Sequence, residues 1–246
     1  MKNFRADLHI HTVLSPCGDL DMSPTAIVTM AREKGLDIIA VTDHNSTRHC
    51  RLAVELGKEA GLLVIPGVEV NTSEEVHTLA FFESVEKAEG FQNYLDFFLP
   101  DIMNDPDHFG EQLLVDRDER ILGEEERSLY SGLKQSLDQV ADTVHGLGGI
   151  MVLSHVDRNR NSVYSQLGFL PDNLQCDAIE ISRSTDPFTF VALHPELRKH
   201  TVITNSDAHF IEDIGRKYSV FQMESACFGE IKMAVRNQNG RRVILP

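Results

Sequence analysis

The stretch that most constrains this chain is its beginning, Phe4-Arg5-Ala6-Asp7-Leu8-His9-Ile10-His11-Thr12. Asp7, His9 and His11 alternate with Ala6, Leu8 and Ile10. That is the period of a β-strand, so the three polar side chains are expected on one face and the apolar ones on the other. Two imidazoles and a carboxylate are costly to bury without partners. Hydrogen bonds within a core would satisfy them, and so would a divalent cation, for which neutral imidazole is a common ligand. The rest of the chain chooses between these by repeating the device.

Apolar runs that carry polar residues at one end recur along the sequence. Residues 37–44 end in Asp43-His44, 62–70 carry Glu69 near the end, and 76–82 carry His77 at the start. Residues 149–155 end in His155, 176–183 in Arg183, and 201–209 in Asp207-Ala208-His209; 219–223 close the set. Between them the patterns predict helices: 24–34, with Ser23 as cap and Pro24 at the first position, and 47–60, stopped by Gly61. A final helix is expected over 227–237. Strands alternating with helices imply an α/β fold with a mainly parallel sheet. An open sheet would gather its ligands at one switch point, whereas here seven strands contribute, which favours a (β/α)7 barrel with its site at one rim. Residues 86–147 interrupt the rhythm between strands 4 and 5. They read as a helix (89–98), a small hairpin (112–116 with 120–122) and a long helix (124–146), an elaborated insertion serving either as a lid or as a surface excursion. No linker, low-complexity run or repeat divides the 246 residues, so a single domain over 1–246 is expected.

Composition narrows the setting. The N-terminus runs straight into the first strand with no signal peptide, and no apolar run approaches the roughly 20 residues of a membrane span. Cys17, Cys50, Cys176 and Cys227 lie far apart with no Cys-x-x-Cys pair, which fits reduced thiols in a cytoplasmic protein. A net charge of −15, from 23 basic and 38 acidic residues, argues against a nucleic-acid-coating surface and so against nucleic acid as a partner, while the missing apolar run argues against a membrane. A small anionic substrate stays compatible, because local cations can outweigh the global charge. Oligomeric state is not readable.

Six of the eleven histidines fall in the strand-end pattern: His9, His11, His44, His77, His155 and His209. Together with the carboxylates around them, they resemble the PHP (polymerase and histidinol phosphatase) family of metal-dependent phosphoesterases. The resemblance runs through Asp7-x-His9-x-His11, Thr42-Asp43-His44, Gly67-Val68-Glu69, His77, Ser154-His155 and Ser206-Asp207-x-His209, in order over nearly the whole chain. It implies a distorted, TIM-like barrel holding two or three divalent ions of zinc, manganese or iron. It further implies His9, His11, Glu69 and Asp207 around one ion, Glu69 bridging to a second with His77 and His155, and Asp19, His44 and His209 at a third. Asp207 and His209 would also act at the reacting group. Asp7 and Asp43 would orient imidazoles. Cys17 reads as a solvated loop thiol. Arg158 and Arg183 would either fork onto phosphate oxygens or form surface ion pairs. His49, His108, His145, His194 and His200 read as surface or capping residues.

Three divalent ions would bring about +6 and the carboxylates Asp19, Glu69 and Asp207 about −3, a balance that draws in a phosphate monoester. Coordination can bring water to a pKa of about 7, supplying a nucleophile without a serine or cysteine. No Gly-x-Ser-x-Gly elbow or Walker lysine suggests another chemistry. The expected function is therefore hydrolysis of a small phosphate ester by a metal-bridging hydroxide. The alternatives are hydrolysis of an amide or lactone, a non-catalytic metal-binding domain, and a nuclease or proofreading module, the last weighed against by the acidic balance.

Overall fold

A computed structural model describes all 246 residues. Its strands are β1 (Lys2–Ile10), β2 (Ile38–Val41), β3 (Leu63–Asn71), β4 (His77–Phe81), β5 (Leu113–Val115), β6 (Ile121–Glu124), β7 (Ile150–Leu153), β8 (Ala178–Glu180), β9 (Thr201–Ile203), β10 (Ser219–Met223) and β11 (Arg242–Ile244). The helices are α1 (Pro24–Glu33), α2 (Cys50–Ala60), α3 (Val85–Phe98), α4 (Pro106–Phe109), α5 (Leu137–Gly146), α6 (Val163–Leu167), α7 (Pro187–Leu193) and α8 (Phe228–Val235). Local chemistry sets their ends. Ser23 Oγ accepts from Ala26 N–H ahead of Pro24, a Ser136–Gln139 capping box opens α5, and Gly61, in the left-handed region at φ 67°, stops α2.

Nine strands form one sheet in the order β11-β10-β1-β2-β3-β4-β7-β8-β9. It curls into a nearly closed barrel, as the strand-end pattern implied. At the rim Ala208, beyond β9, pairs with Ile10 in parallel fashion, while further down β10, antiparallel to β1, and β11, antiparallel to β10, fill the gap. The parallel expectation holds for β1–β2, β2–β3, β7–β8 and β8–β9 and fails for β4, which is antiparallel to both β3 and β7. The reason is length. Residues 72–76 are too few for a crossover, so they make a hairpin turn, with Thr72 N–H donating to Val76 O. Reversal of β4 puts its first residue, His77, at the same rim as the last residues of β3, and His77 sits opposite Asn71.

Apolar packing lies on both sides of the sheet. Ala6, Leu8, Ile38, Ala40, Leu79, Phe81 and Val152 form one cluster closed by Phe228 and Ile231 of α8. Ile10, Ile39 and Val41 pack beneath α1 and α2, and Val68, Val70 and Phe82 pack against α3 and α5. The β5–β6 hairpin forms where expected. The long helix expected over 124–146 does not: only α5 is helical. In the preceding segment Ser128 N–H donates to Ile102 O, Leu133 N–H to Asn71 O and Lys134 N–H to Phe98 O, so tertiary partners take the donors that a helix would have used. No helix is long and apolar enough to cross a membrane.

Candidate metal centre

The site begins at a bulge in β1. Asp7 pairs with Ile39 and Ile10 with Val41, so three steps of β1 oppose two of β2. The extra residue reverses the alternation: Leu8 stays with Ala6 in the cluster closed by α8, whereas Ile10 joins Ile39 and Val41 under α1 and α2. Bulges re-aim the side chains beyond them. The single shared face expected for Asp7, His9 and His11 is thereby corrected. His9 and His11 turn into the rim of the barrel. Asp7 lies on the other side, accepting from Ser206 N–H (3.0 Å) and Gly215 N–H (2.9 Å), and burial pushes its pKa up to about 6. It holds the Ser206–Asp207 backbone rather than an imidazole.

Glu69, buried on β3, is the hub. Its Oε1 lies 3.3 Å from His9 Nε2, 3.2 Å from His77 Nδ1 and 3.1 Å from His155 Nε2. Its Oε2 lies 3.4 Å from His11 Nε2 and 3.2 Å from His44 Nδ1. Asp207 closes the other side, with Oδ1 3.3 Å from His9 Nε2 and 3.4 Å from His11 Nε2. His209 stacks on His11 with ring centroids 4.4 Å apart. The structure thus brings together six imidazoles and two carboxylates from six strand ends. His155 and Asp207 hold left-handed backbones, at φ 28° and 49°, a strain of about 1–3 kcal/mol each that the surrounding packing must sustain.

Neighbours fix where the imidazole protons sit. His9 Nδ1 faces the Glu180 carboxylate at 3.0 Å, so that nitrogen carries hydrogen. Ser15 Oγ donates to Asp43 Oδ1 (2.8 Å), so its contact with His11 Nδ1 (2.9 Å) makes the imidazole the donor. His209 Nδ1 donates to the carbonyl of Asp207 (2.9 Å). In all three rings Nε2 is left to the interior. Burial opposes charge on His9, yet Glu180, Asp207 and Glu69 outweigh it and push its pKa well above the ordinary value. Burial, aided by His11, pushes His209 down to about 4. Burial likewise opposes ionisation of Glu69, but His77 and His9 outweigh it and hold the carboxyl well below its usual range.

The fit to divalent cations shows in what these residues lack. His44 Nδ1, His77 Nδ1 and Asp207 Oδ1 are buried without hydrogen-bond partners, although buried polar atoms are nearly always paired. Donor separations of 3.1–3.4 Å suit neighbouring ligands sharing one ion at about 2.0–2.2 Å. A mixed imidazole and carboxylate set suits zinc, manganese or iron.

Other sequence candidates fall as follows. Asp43 accepts from Thr12 N–H (2.7 Å), Thr12 Oγ1 and Ser15 Oγ, so it steers His11 through Ser15. Asp19 is exposed: its Oδ1 accepts from Asp21 N–H (3.0 Å), and only its backbone N–H reaches the site region, donating to His209 O (2.9 Å). Cys17 instead stands with His11, His44 and His209, all four donor atoms within 4.8 Å of one another. Arg158 pairs with Asp207. Arg183 pairs with Asp213 at 2.7 Å, away from these ligands. Of the remaining histidines, His108 and His194 are at least partly exposed beside acidic neighbours, His145 bonds Asp177 and His200 faces Cys176.

Three participants escaped sequence reasoning. Glu180 binds His9, the His155 N–H (2.9 Å) and Asn205 Nδ2 (2.7 Å); a lone carboxylate within the apolar run Ala178-Ile179-Glu180-Ile181 is the same signal that exposed Glu69. His49, read as a surface or capping residue, does stand at the N-cap of α2 but is buried, with Nδ1 2.7 Å from Thr12 Oγ1 and Nε2 accepting from Val115 N–H (3.1 Å). Tyr130, from the insertion, sets its ring 4.9 Å from His44. A cleft of about 400 Å³ lined by His77, His155 and the Arg158–Asn161 loop gives access to the centre. A larger cavity of about 660 Å³, between α2, α3 and the β5–β6 hairpin, adjoins the centre's supporting residues only through His49.

Comparison with known proteins accords with this geometry. Residues 7–161 match the PHP domain and residues 196–239 the PHP-associated segment. The chain is 26% identical to the uncharacterized protein YqxK of Bacillus subtilis, over 99% of its own length and 65% of that protein. Endonuclease Q of Pyrococcus furiosus, a lesion-specific endonuclease, superposes with a TM-score of 0.74 at 21% identity, over 99% of this chain and 58% of that one. The chain therefore spans less than two thirds of either relative. Endonuclease Q has also been solved with a 27-mer duplex carrying an abasic lesion at its active site, again at a TM-score of 0.74 and 19% identity, over 98% of this chain and 58% of that one. That finding overturns the argument from charge against nucleic acid as a partner, since net charge describes a whole surface and not the cleft where a strand would lie. On the PHP match across most of its length, this chain belongs to the PHP family of metal-dependent phosphoesterases.

Proposed function

We propose that this protein hydrolyses phosphodiesters of a nucleic-acid strand, using two or three divalent cations of the zinc, manganese or iron type. The observation that carries the reading is Glu69, whose two oxygens meet five imidazole nitrogens at 3.1–3.4 Å. Such a carboxylate could be shared by two cations, one of which would be held with His9, His11 and Asp207 and the other with His77 and His155. His44 and His209 lie towards a third. Bound there, such ions polarise a phosphoryl oxygen and make water nucleophilic at neutral pH.

The chain's own residues do the rest. Glu180, Ser15 and the Asp207 carbonyl hold protons on the outer nitrogens of His9, His11 and His209, keeping their inner lone pairs free. Burial of Glu69 and Asp207 keeps bulk water from screening the site. Arg158, part-exposed and paired with Asp207, is positioned to fork onto phosphate oxygens entering from the cleft. Arg160, Asn159 and Asn161 line the same cleft and offer further donors to a strand's phosphates and sugars. Arg183 anchors the Asp213 loop in this reading. The support for a nucleic-acid substrate is the fold shared with endonuclease Q together with this basic, amide-rich loop.

The test is a substrate panel on protein of known metal content: single-stranded, duplex and abasic oligonucleotides, mononucleotides, a generic phosphodiester, and ester and lactone controls. Metal-dependent oligonucleotide cleavage that is lost in Asp207→Asn is expected. Turnover of mononucleotides alone would move the substrate to small phosphate esters. Turnover confined to carbonyl substrates would overturn the phosphoesterase reading.

A further inference from the structure

The loop after β1 holds a thiol where a carboxylate was expected. Cys17 Sγ shares a 4.8 Å group with nitrogens of His11, His44 and His209. An imidazole nitrogen binds one ion at a time. With His11 Nε2 committed beside His9, Glu69 and Asp207, the remaining set is Cys17, His44 and His209: one sulfur and two nitrogens. A second observation marks the same place. His44, which also neighbours Glu69 through its Nδ1 at 3.2 Å, is only 4% exposed, and that nitrogen makes no hydrogen bond. The loop is held so that the sulfur cannot easily leave. Gly18 N–H donates to Ser15 O at 2.8 Å and Asp19 N–H to His209 O at 2.9 Å. Gly18 lies so close to the Thr12 carbonyl that an added Cβ would come within 2.2 Å of it. Asp19 meanwhile spends its carboxylate on the Asp21 N–H.

We infer that Cys17 is a thiolate ligand, with His44 and His209, of the outermost cation in this centre, in the role the sequence suggested for Asp19. The inference rests on the multinuclear-cation reading above. Binding breaks the Cys17 S–H bond and forms a metal–sulfur bond. The proton leaves to solvent, no electrons move, and the ion keeps its +2 state. Three protein donors leave room for a further ligand, as in catalytic rather than structural zinc sites. Thiolate sulfur favours zinc-like ions over the oxygen-seeking magnesium and manganese, so this position selects a different metal from its carboxylate-rich neighbours. It also makes the outer ion the one exposed to thiol oxidation.

Cobalt(II) substitution of the full chain is the test. A near-ultraviolet thiolate-to-cobalt charge-transfer band is expected on metal uptake. It should vanish in Cys17→Ser, with loss of one bound equivalent, and survive in Cys176→Ser and Cys227→Ser. Should Cys17→Ser fail to fold, iodoacetamide labelling of the unaltered protein reads the same point: zinc should protect Cys17 from alkylation while Cys227 continues to react. Normal cobalt uptake with no charge-transfer band, or with a band that Cys17→Ser keeps, would overturn the thiolate while leaving the phosphoesterase reading intact. No cobalt uptake at all would sink both. Alkylation of Cys17 at an unchanged rate in saturating zinc would also overturn it.

Discussion

Glu180 carries more of the site than its position in a three-residue strand suggests. It orients His9, receives the His155 N–H and is fixed by Asn205, so it ties three strand ends to one another. Outer carboxylates of this kind typically contribute 10–100-fold in metal affinity or activity. Glu180→Gln should therefore cost about that factor in metal affinity, read by chelator competition, with the fold intact by circular dichroism. A second prediction concerns protons. His9 is held well above its ordinary pKa by Glu180, Asp207 and Glu69 working against burial, and His11 is also raised, by Asp207 and Glu69 against burial. Near pH 7 a cation must displace those protons. Uptake should release protons in calorimetry across buffers of different ionisation enthalpy, and affinity should fall as pH is lowered from 8 to about 6. The convergence of most of these candidate residues was legible in the sequence because they sit at the ends of apolar runs. What was not legible follows from single residues. A bulge adds one residue without changing the letter pattern, so Asp7 looked equivalent to His9. Cys17 and Asp19, two apart in a turn-rich loop, are separable only once the backbone places one inward and the other outward.

Among the elements, the strands read more truly than the connections. Periodicity and caps located β1, β2, β3, β7 and α1 to within a few residues, because burial on both faces leaves long apolar runs. The segment before α5 misled, since its composition suits a helix while its donors go to Ile102, Asn71 and Phe98. Strand polarity was hidden as well: nothing in the letters of β4 says which way it runs, and only the shortness of residues 72–76 implies a reversal. Away from the centre, Asp177 joins three elements. It accepts from His145 on α5 (2.9 Å), from the Met151 N–H on β7 (2.9 Å) and from Arg236 after α8 (2.7 Å). Burial pushes the pKa of Asp177 up, but these bonds, that from His145 foremost, outweigh burial and hold it below the ordinary value. A carboxyl held low when folded binds fewer protons than in the unfolded chain. Its stabilisation is thus complete above about pH 4, the unfolded value, and is lost as pH falls through the folded one. Asp177→Asn should cost about 1–3 kcal/mol at neutral pH and flatten the acid limb of a Tm-against-pH curve. An unchanged acid limb would remove Asp177 from the account.

For the molecule as a whole, the cation centre and the net charge of −15 pull in opposite directions. Candidate ligands for cations pack at one rim, where five imidazoles and Asp207 crowd around a single buried glutamate. A ligand bound only by the folded state stabilises it, by about 2.7 kcal/mol at a hundred times its dissociation constant. Chelation should therefore lower Tm, and adding zinc or manganese should restore it in a concentration-dependent way. The same opposition governs how a nucleic acid would bind. A protein that coats DNA with a basic surface neutralises many phosphates, and its affinity falls steeply with salt. Here the cleft offers Arg158 and Arg160 on an otherwise acidic chain, so binding must draw on the metal centre and a few local contacts. Each phosphate neutralised adds about −0.7 to −0.9 to the slope of log affinity against log salt. With two arginines engaged the slope should lie at about −1.4 to −1.8, measured by anisotropy on a labelled oligonucleotide with catalysis blocked by Asp207→Asn. Arg160→Ala should reduce it by about one unit, weakening all sequences alike, because phosphate contacts position a strand without reading its bases. A slope indistinguishable from zero would mean that the arginines neutralise no phosphate, and the cleft would then be left to small esters that the cations hold unaided.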